Sequence, residues 1–287
     1  MTPTRPVRSF LYVPGNASDK LAKALTRGAD ALIVDLEDAV PPAEKDRARE
    51  AVVRWSGAQP ADQPTQLWVR VNPGELRAVD VAALAGTQAV TGLVLAKTES
   101  ADDVRDVVAQ LEELGDHSTV LMPLVETAAA VLGAAAIAAQ PRVHQLQIGE
   151  VDLAGETGIE PGEDDAELAG IRTLVVLASA AAGIHPPLGP VSRVTSDLAL
   201  LEESTRRVRR QGFVGRACIH PGQLEVVHRV FTPTAAEVTE ASEVLELYDE
   251  AVTEGRGVML DGQGRLVDVA VLRGARKTLA LASRAAR

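Results

Sequence analysis

Val120-Leu-Met-Pro-Leu-Val125, followed by Glu126-Thr127, and Leu146-Gln-Ile-Gly149, followed by Glu150-Val151-Asp152, decide the fold. Each is an apolar run of strand length without strict alternation, and one helix-length segment separates them. Such runs read as parallel strands covered on both faces. Working outward, eight segments obey the same rule: Phe10 to Val13, Ala31 to Leu36, Leu67 to Val71, Gly92 to Ala96, Val120 to Val125, Gln145 to Gly149, Pro187 to Val191 and Ala217 to Ile219. The seventh, around Pro186-Pro-Leu-Gly-Pro190, carries the weakest signal, because proline cannot donate to a central ladder. Segments rich in Ala, Leu, Glu and Arg lie between the runs and read as helices. Eight strand-helix units predict an α/β fold of the (β/α)8 TIM-barrel type in preference to an open doubly wound sheet. No Gly-x-Gly-x-x-Gly follows a strand, so dinucleotide binding has no support.

After Phe231 the pattern changes. Thr234 to Thr253 reads as a long helix, Val258 to Val267 as a hairpin turning at its Asp-Gly and Gly residues, and Val269 to Ala285 as a last helix. The expected organisation is therefore a barrel over 1–231 and a helix-hairpin-helix extension over 232–287. The extension is expected to cover the mouth of the barrel or to contact a neighbouring subunit.

At 287 residues, 46% hydrophobic and 24% charged, the chain has enough apolar material for a large core. A net charge of -11 and 2% aromatic residues argue against nucleic-acid binding, which needs basic and stacking surface. The single cysteine, Cys218, excludes an internal disulfide framework and is expected to be buried packing. Residues Met1 to Arg8 are too polar for a signal peptide and no apolar run reaches membrane-spanning length, which leads to the expectation of a cytoplasmic protein without membrane contact.

In a barrel of this kind the carboxyl ends of the strands carry the active site. Glu126 and Asp152 follow the fifth and sixth strands, and two carboxylates converging there suit a hard divalent ion, Mg2+, with waters completing its octahedron. The alternative is that either residue caps the helix that follows. Glu37 and Asp38, after the second strand, add charge at the same mouth as water-binding partners of the metal, or else cap a helix or pair with Lys45 or Arg49. Lys97 ends the fourth strand and reads as structural or electrostatic, with Schiff-base chemistry the alternative. His220 follows the eighth strand and reads chiefly as a helix-start residue. Arg206-Arg-Val-Arg-Arg210 reads as a solvated helix face beside Glu202 and Glu203, and the acidic stretch Glu160 to Glu167 as a helix opening.

Six ordered stretches carry a family resemblance: Arg8-Ser-Phe-Leu-Tyr-Val-Pro-Gly15, Asp35-Leu-Glu-Asp-Ala-Val40 with Lys45 and Arg49, Val69-Arg-Val-Asn72, Pro123-Leu-Val-Glu-Thr127, Gly149-Glu-Val-Asp-Leu153 and Ile219-His-Pro-Gly-Gln223. Together they resemble the CitE-like proteins, the citrate lyase β subunit and the malyl-CoA and citramalyl-CoA lyases of the HpcH/HpaI aldolase superfamily. The resemblance implies a (β/α)8 barrel, a homo-oligomer built on trimers, and Mg2+ at Glu126 and Asp152. It also implies cleavage or formation of a carbon-carbon bond between a 2-oxo acid such as oxaloacetate and an acetyl thioester of CoA or a carrier protein. On this reading Arg70 pairs with the carboxylate of the oxo acid through its fork of donors. Arg8, Tyr12, Pro14 and Lys20 match the segment that contacts CoA or pantetheine in relatives. One departure stands out. Many relatives carry an aspartate on the seventh strand that is implicated in acid-base chemistry, and Gly189 stands at that place. Three readings follow: a Mg2+-dependent lyase, a thioesterase or CoA-independent class II aldolase on the same site, or a non-catalytic binder of oxo acids or CoA thioesters.

Overall fold

Residues 7–253, 259–260 and 265–285 are described by the structure, a computed structural model. Eight parallel strands, β1 (Ser9–Pro14), β2 (Ala31–Asp35), β3 (Gln66–Val71), β4 (Val90–Leu95), β5 (Val120–Val125), β6 (Gln145–Ile148), β7 (His185–Leu188) and β8 (Arg216–Cys218), form one sheet in the order β7-β6-β5-β4-β3-β2-β1-β8. A parallel bridge between Gly189 and Arg216 joins its two edges, and this closes the barrel. Helices α1 (Ser18–Ala24), α2 (Lys45–Gly57), α3 (Glu75–Leu84), α4 (Ala101–Glu113), α5 (Ala128–Ala138), α6 (Glu150–Thr157), α7 (Ala169–Ala182) and α8 (Leu198–Arg210) lie between the strands, and α9 (Leu224–Phe231) follows the last.

Strand side chains alternate between the barrel interior and the helical layer. Phe10, Ile33, Trp68, Val94, Met122, Leu124, Leu188 and Ala217 pack together as the inner core, while Leu32, Val34, Val69, Leu93 and Leu121 are buried on the other face. Both faces are therefore apolar, which is why the sequence shows runs and not alternation. Two residues beyond Phe10, Ile33, Trp68 and Leu124, the next inward positions are Tyr12, Asp35, Arg70 and Glu126. Polar chemistry thus begins one layer above the core, at the carboxyl ends.

The seventh strand lies earlier than its expected span of Pro187 to Val191. Its prolines are tolerated because their carbonyls, not their nitrogens, are used: Pro186 O accepts from Gln145 Nε2 at 2.6 Å and Pro187 O accepts from the Val214 N–H at 3.1 Å. Gly189 then donates to Gly215 O at 3.2 Å and accepts from the Ala217 N–H at 3.1 Å. A Cβ at 189 would lie 2.7 Å from Val208 Cγ1 of α8 and 2.9 Å from Gly215 O, so glycine is required by close approach. That direction leads into the helical layer. An aspartate here would point away from the mouth, and Val191 is the residue of this segment that reaches it.

A first compact unit runs to His228 and a second begins at Arg229, within α9. The second unit holds α10 (Ala235–Thr253), the antiparallel pair β9 (Met259–Leu260) and β10 (Leu266–Val267), and α11 (Val269–Ala285). Ala241, Val244, Val267, Leu272 and Ala275 form its own core. The expected turn at Asp261-Gly262 lies outside the described residues. Among the described residues no helix is long and apolar enough to cross a membrane.

Gly189→Ala is expected to cost about 1–3 kcal/mol through overpacking at the closing bridge, and Gly189→Asp more. Urea denaturation reads this as a lower midpoint. An unchanged midpoint in both variants would contradict the closing role of Gly189.

Candidate active site

A cavity of about 1000 Å³ opens at the carboxyl ends of the strands, lined by Tyr12, Asp35, Arg70, Glu126, Gln147 and Asp152 among others. Its central cation is Arg70. The guanidinium grips Asp35 with both arms of its fork, Nε to Oδ1 and Nη2 to Oδ2, each at 2.7 Å. Asp35 is held in turn by the N–H groups of Glu37 at 2.9 Å and Ala39 at 3.0 Å. The remaining nitrogen, Nη1, lies 2.9 Å from Glu37 and 3.4 Å from Asp38. The fork expected to receive the substrate is thus taken by Asp35, and Nη1 is paired with Glu37 and Asp38 while Arg70 lines the cavity. Burial works against the charge of Arg70, but Asp35 and Glu37 hold its pKa above the ordinary value.

Glu37 and Asp38 do not use the alternative partners. Lys45 donates to the backbone carbonyls of Leu36 and Glu37, and Arg49 pairs with Asp46 and Asp80. Glu37 is buried and its carboxyl is pushed up to about 7, first by burial and then by Asp38, against the pull of Arg70. Asp38 is largely exposed at the rim.

Glu126 and Asp152 do converge, and they share a cation. Lys97 Nζ lies 2.9 Å from Asp152 Oδ1 and 3.6 Å from Glu126 Oε1. The backbone of Lys97 adopts the left-handed region (φ 50°), and its N–H donates to Glu126 Oε1 at 2.7 Å. Burial would pull the Lys97 ammonium down, but Asp152 and Glu126 hold it above its ordinary value. Helix capping does not occupy Glu126, because Thr127 Oγ1 caps α5 by accepting from the Ala130 N–H at 3.1 Å. Glycine at 149 is equally necessary, since a Cβ there would lie 2.7 Å from Glu126 Oε2. Arg172, buried in α7, fixes the start of α6 by bonding Glu150 at 2.5 and 2.7 Å, two residues before Asp152. No group of three or more His, Cys, Asp or Glu able to hold a metal is found among the described residues. The pair still fits Mg2+, which keeps several waters and takes one or two carboxylates. A site already bridged by an ammonium is built for positive charge.

Tyr12, Pro14 and Lys20 line the cavity, and Arg27 joins Lys20 there as a second cation. Arg8 does not. It sits at the amino end of β1, where Nε and Nη2 bind Asp30 at 2.8 and 2.9 Å, because the residue before a strand belongs to the opposite end of the barrel. His220 lines the cavity but its Nδ1 accepts from the Gly222 N–H at 3.1 Å, a capping role. Cys218 is buried, and burial pushes its thiol up to about 12, which leaves it inert. Arg206 and Arg207 pair with Glu202 and Glu203 one turn away. The sequence reading missed Asp35, Gln147 and Arg27 as site residues. Counting inward by two along each strand finds the first two; Arg27 follows α1 and carries no such signal.

A family model described as HpcH/HpaI aldolase/citrate lyase matches residues 8–221. A (3S)-malyl-CoA thioesterase of Cereibacter sphaeroides is 36% identical over 280 residues, covering 96% of this chain and 95% of its own. The structure of CitE from Mycobacterium tuberculosis in complex with magnesium, acetoacetate and coenzyme A superposes with a TM-score of 0.80 at 30% identity, over 98% of this chain and 100% of that one. The citrate lyase β subunit of the same organism, complexed with oxaloacetate and magnesium, gives 0.67 at 32% identity over 81% and 100%.

Burial, the largest influence, pushes the Glu126 carboxyl up to about 7, with Lys97 opposing and Asp152 and Glu37 adding to the rise. A divalent cation must displace that proton, so affinity should rise with pH through this range and level off above it. Calorimetric titration with Mg2+ is expected to show roughly tenfold stronger binding at about pH 8 than at about pH 6. Equal affinities would contradict the assignment of Glu126.

Proposed function

The chain belongs to the HpcH/HpaI aldolase/citrate lyase family and is an enzyme of its lyase type; from that premise we propose that it uses Mg2+ to cleave a 3-hydroxyacyl thioester of the citryl, malyl or citramalyl type. The products are a 2-oxo acid such as oxaloacetate or glyoxylate and an acetyl thioester. The observation that carries this reading is one cavity in which Glu126 and Asp152 share a cation and which Arg70 also lines.

Magnesium held by Glu126 and Asp152 would supply a Lewis acid for the oxygen that becomes the 2-oxo group. The other roles belong to the chain. Asp35 locks the Arg70 fork, so Nη1 is the nitrogen that turns to a substrate carboxylate, with Glu37 at 2.9 Å and rim-exposed Asp38 at 3.4 Å yielding their contacts to it. Cleavage requires the hydroxyl proton to leave while the electrons of the carbon-carbon bond pass to the thioester carbonyl, giving an enolate that is then protonated. Glu37, whose carboxyl is held at about 7 by burial beside Arg70, is tuned to accept and return a proton at neutral pH. Tyr12, Pro14, Lys20 and Arg27 take the thioester arm, with the two cations placed for the phosphates of CoA.

A second reading is hydrolysis of the same thioester, favoured by the 36% identity with a (3S)-malyl-CoA thioesterase over 96% of the chain. Both share the metal and Arg70 and differ in the bond broken, carbon-carbon in the first and the acyl carbon-sulfur bond, with water added, in the second. Incubation with Mg2+ and citryl-, malyl- or citramalyl-CoA separates them by product. The lyase reading expects a 2-oxo acid and acetyl-CoA in equal amounts, with loss of both on removing Mg2+. Free CoA with the intact hydroxy acid would overturn it in favour of hydrolysis.

A further inference from the structure

Gln147, on β6, is 2% exposed and lines the cavity. Its Nε2 donates to the Tyr12 hydroxyl at 2.8 Å, a bond between residues 135 positions apart. The Tyr12 ring is itself pinned, with the Arg70 guanidinium 5.1 Å from its centroid. The amide is thereby held from one end by a fixed frame. Its other end, Oε1, is buried without a hydrogen-bond partner. An acceptor left in that state costs roughly 1–3 kcal/mol, and because its residue lines the cavity, a small turn of the side chain brings a ligand donor within reach of it.

We propose that Gln147 is a specificity-determining residue whose side-chain carbonyl accepts a hydrogen bond from the hydroxyl of the 3-hydroxyacyl thioester, an assignment that rests on the function proposed above. The reacting end of such a substrate offers carboxylates, a thioester carbonyl and one hydroxyl. The first two only accept, and Arg70 and Lys97 are there to serve them. Only the hydroxyl can donate to Oε1. An amide is no base, so Gln147 holds the hydroxyl in the bound substrate, and that single hydrogen turns from Oε1 to the proton acceptor before the carbon-carbon bond breaks. After cleavage that oxygen belongs to a 2-oxo acid and has no hydrogen to give. The contact therefore favours substrate over product and rejects acyl chains that lack the hydroxyl.

The test uses the full chain with Mg2+ and two non-cleavable thioether analogues, in which a methylene replaces the thioester carbonyl: that of (3S)-malyl-CoA and that of succinyl-CoA, which differ only in the hydroxyl. Calorimetry is expected to show the wild-type chain binding the hydroxylated analogue about tenfold more tightly, and Gln147→Met reducing the preference to within about twofold. Tyr12→Phe, which frees the amide to turn, serves as the second variant and should lower the preference as well. A preference unchanged in whichever variants fold would overturn the role of Gln147 while leaving the functional reading in place. Failure of the wild-type chain to bind either analogue would overturn both.

Discussion

An excess of negative charge at the barrel mouth governs the site. Asp35, Glu37, Asp38, Glu126 and Asp152 gather around Arg70 and Lys97. In a partly buried setting, unit charges about 4 Å apart interact by roughly 4 kcal/mol, so this imbalance must be relieved. The chain relieves it in two ways: each cation is shared between carboxylates, and Glu37 and Glu126 hold their protons up to about 7. A bound divalent ion would relieve it more completely. The same imbalance explains why Arg70 is so firmly held. Breaking a buried ion pair by removing one partner typically costs about 3–5 kcal/mol, which makes Asp35 as much a part of the site as the arginine it grips.

The barrel turns strand periodicity into that arrangement. Because inward positions recur every second residue, the apolar layer of Phe10, Ile33, Trp68 and Leu124 is followed by a polar layer of Tyr12, Asp35, Arg70 and Glu126. Parallel register aligns the layer from strand to strand, with Asp35 paired to Arg70 across β2 and β3, and Leu124 to Gln147 across β5 and β6. Glycines are placed where this packing leaves no room: Gly149 beneath Glu126 and Gly189 where the sheet closes.

Much of this was legible in the sequence. The first six strands and the eighth fall within a few residues of their expected spans, since long apolar runs bounded by turn residues need little context, and Glu126 and Asp152 are legible as strand-end carboxylates. The partner of Arg70 was not. Whether a guanidinium grips a substrate or a neighbour depends on what the adjacent strand places in register, and Asp35 lies 35 residues away. The Tyr12–Gln147 bond was hidden for the same reason. Arg8 was misplaced because a basic residue beside a strand gives no sign of which end it serves, and the structure spends it on Asp30. Gly189 looked like a lost catalytic group; in the fold it is the contact that closes the barrel.

The central claim is that Glu126 and Asp152 hold one divalent ion. Titration of Mg2+ into the wild-type chain, Glu126→Gln and Asp152→Asn tests it most directly, because these near-isosteric changes remove charge and leave volume almost unchanged. The expected result is a single site in the wild-type chain, at least about tenfold weaker in each variant, with the thermal unfolding of the barrel preserved. Wild-type affinity in both variants would contradict it.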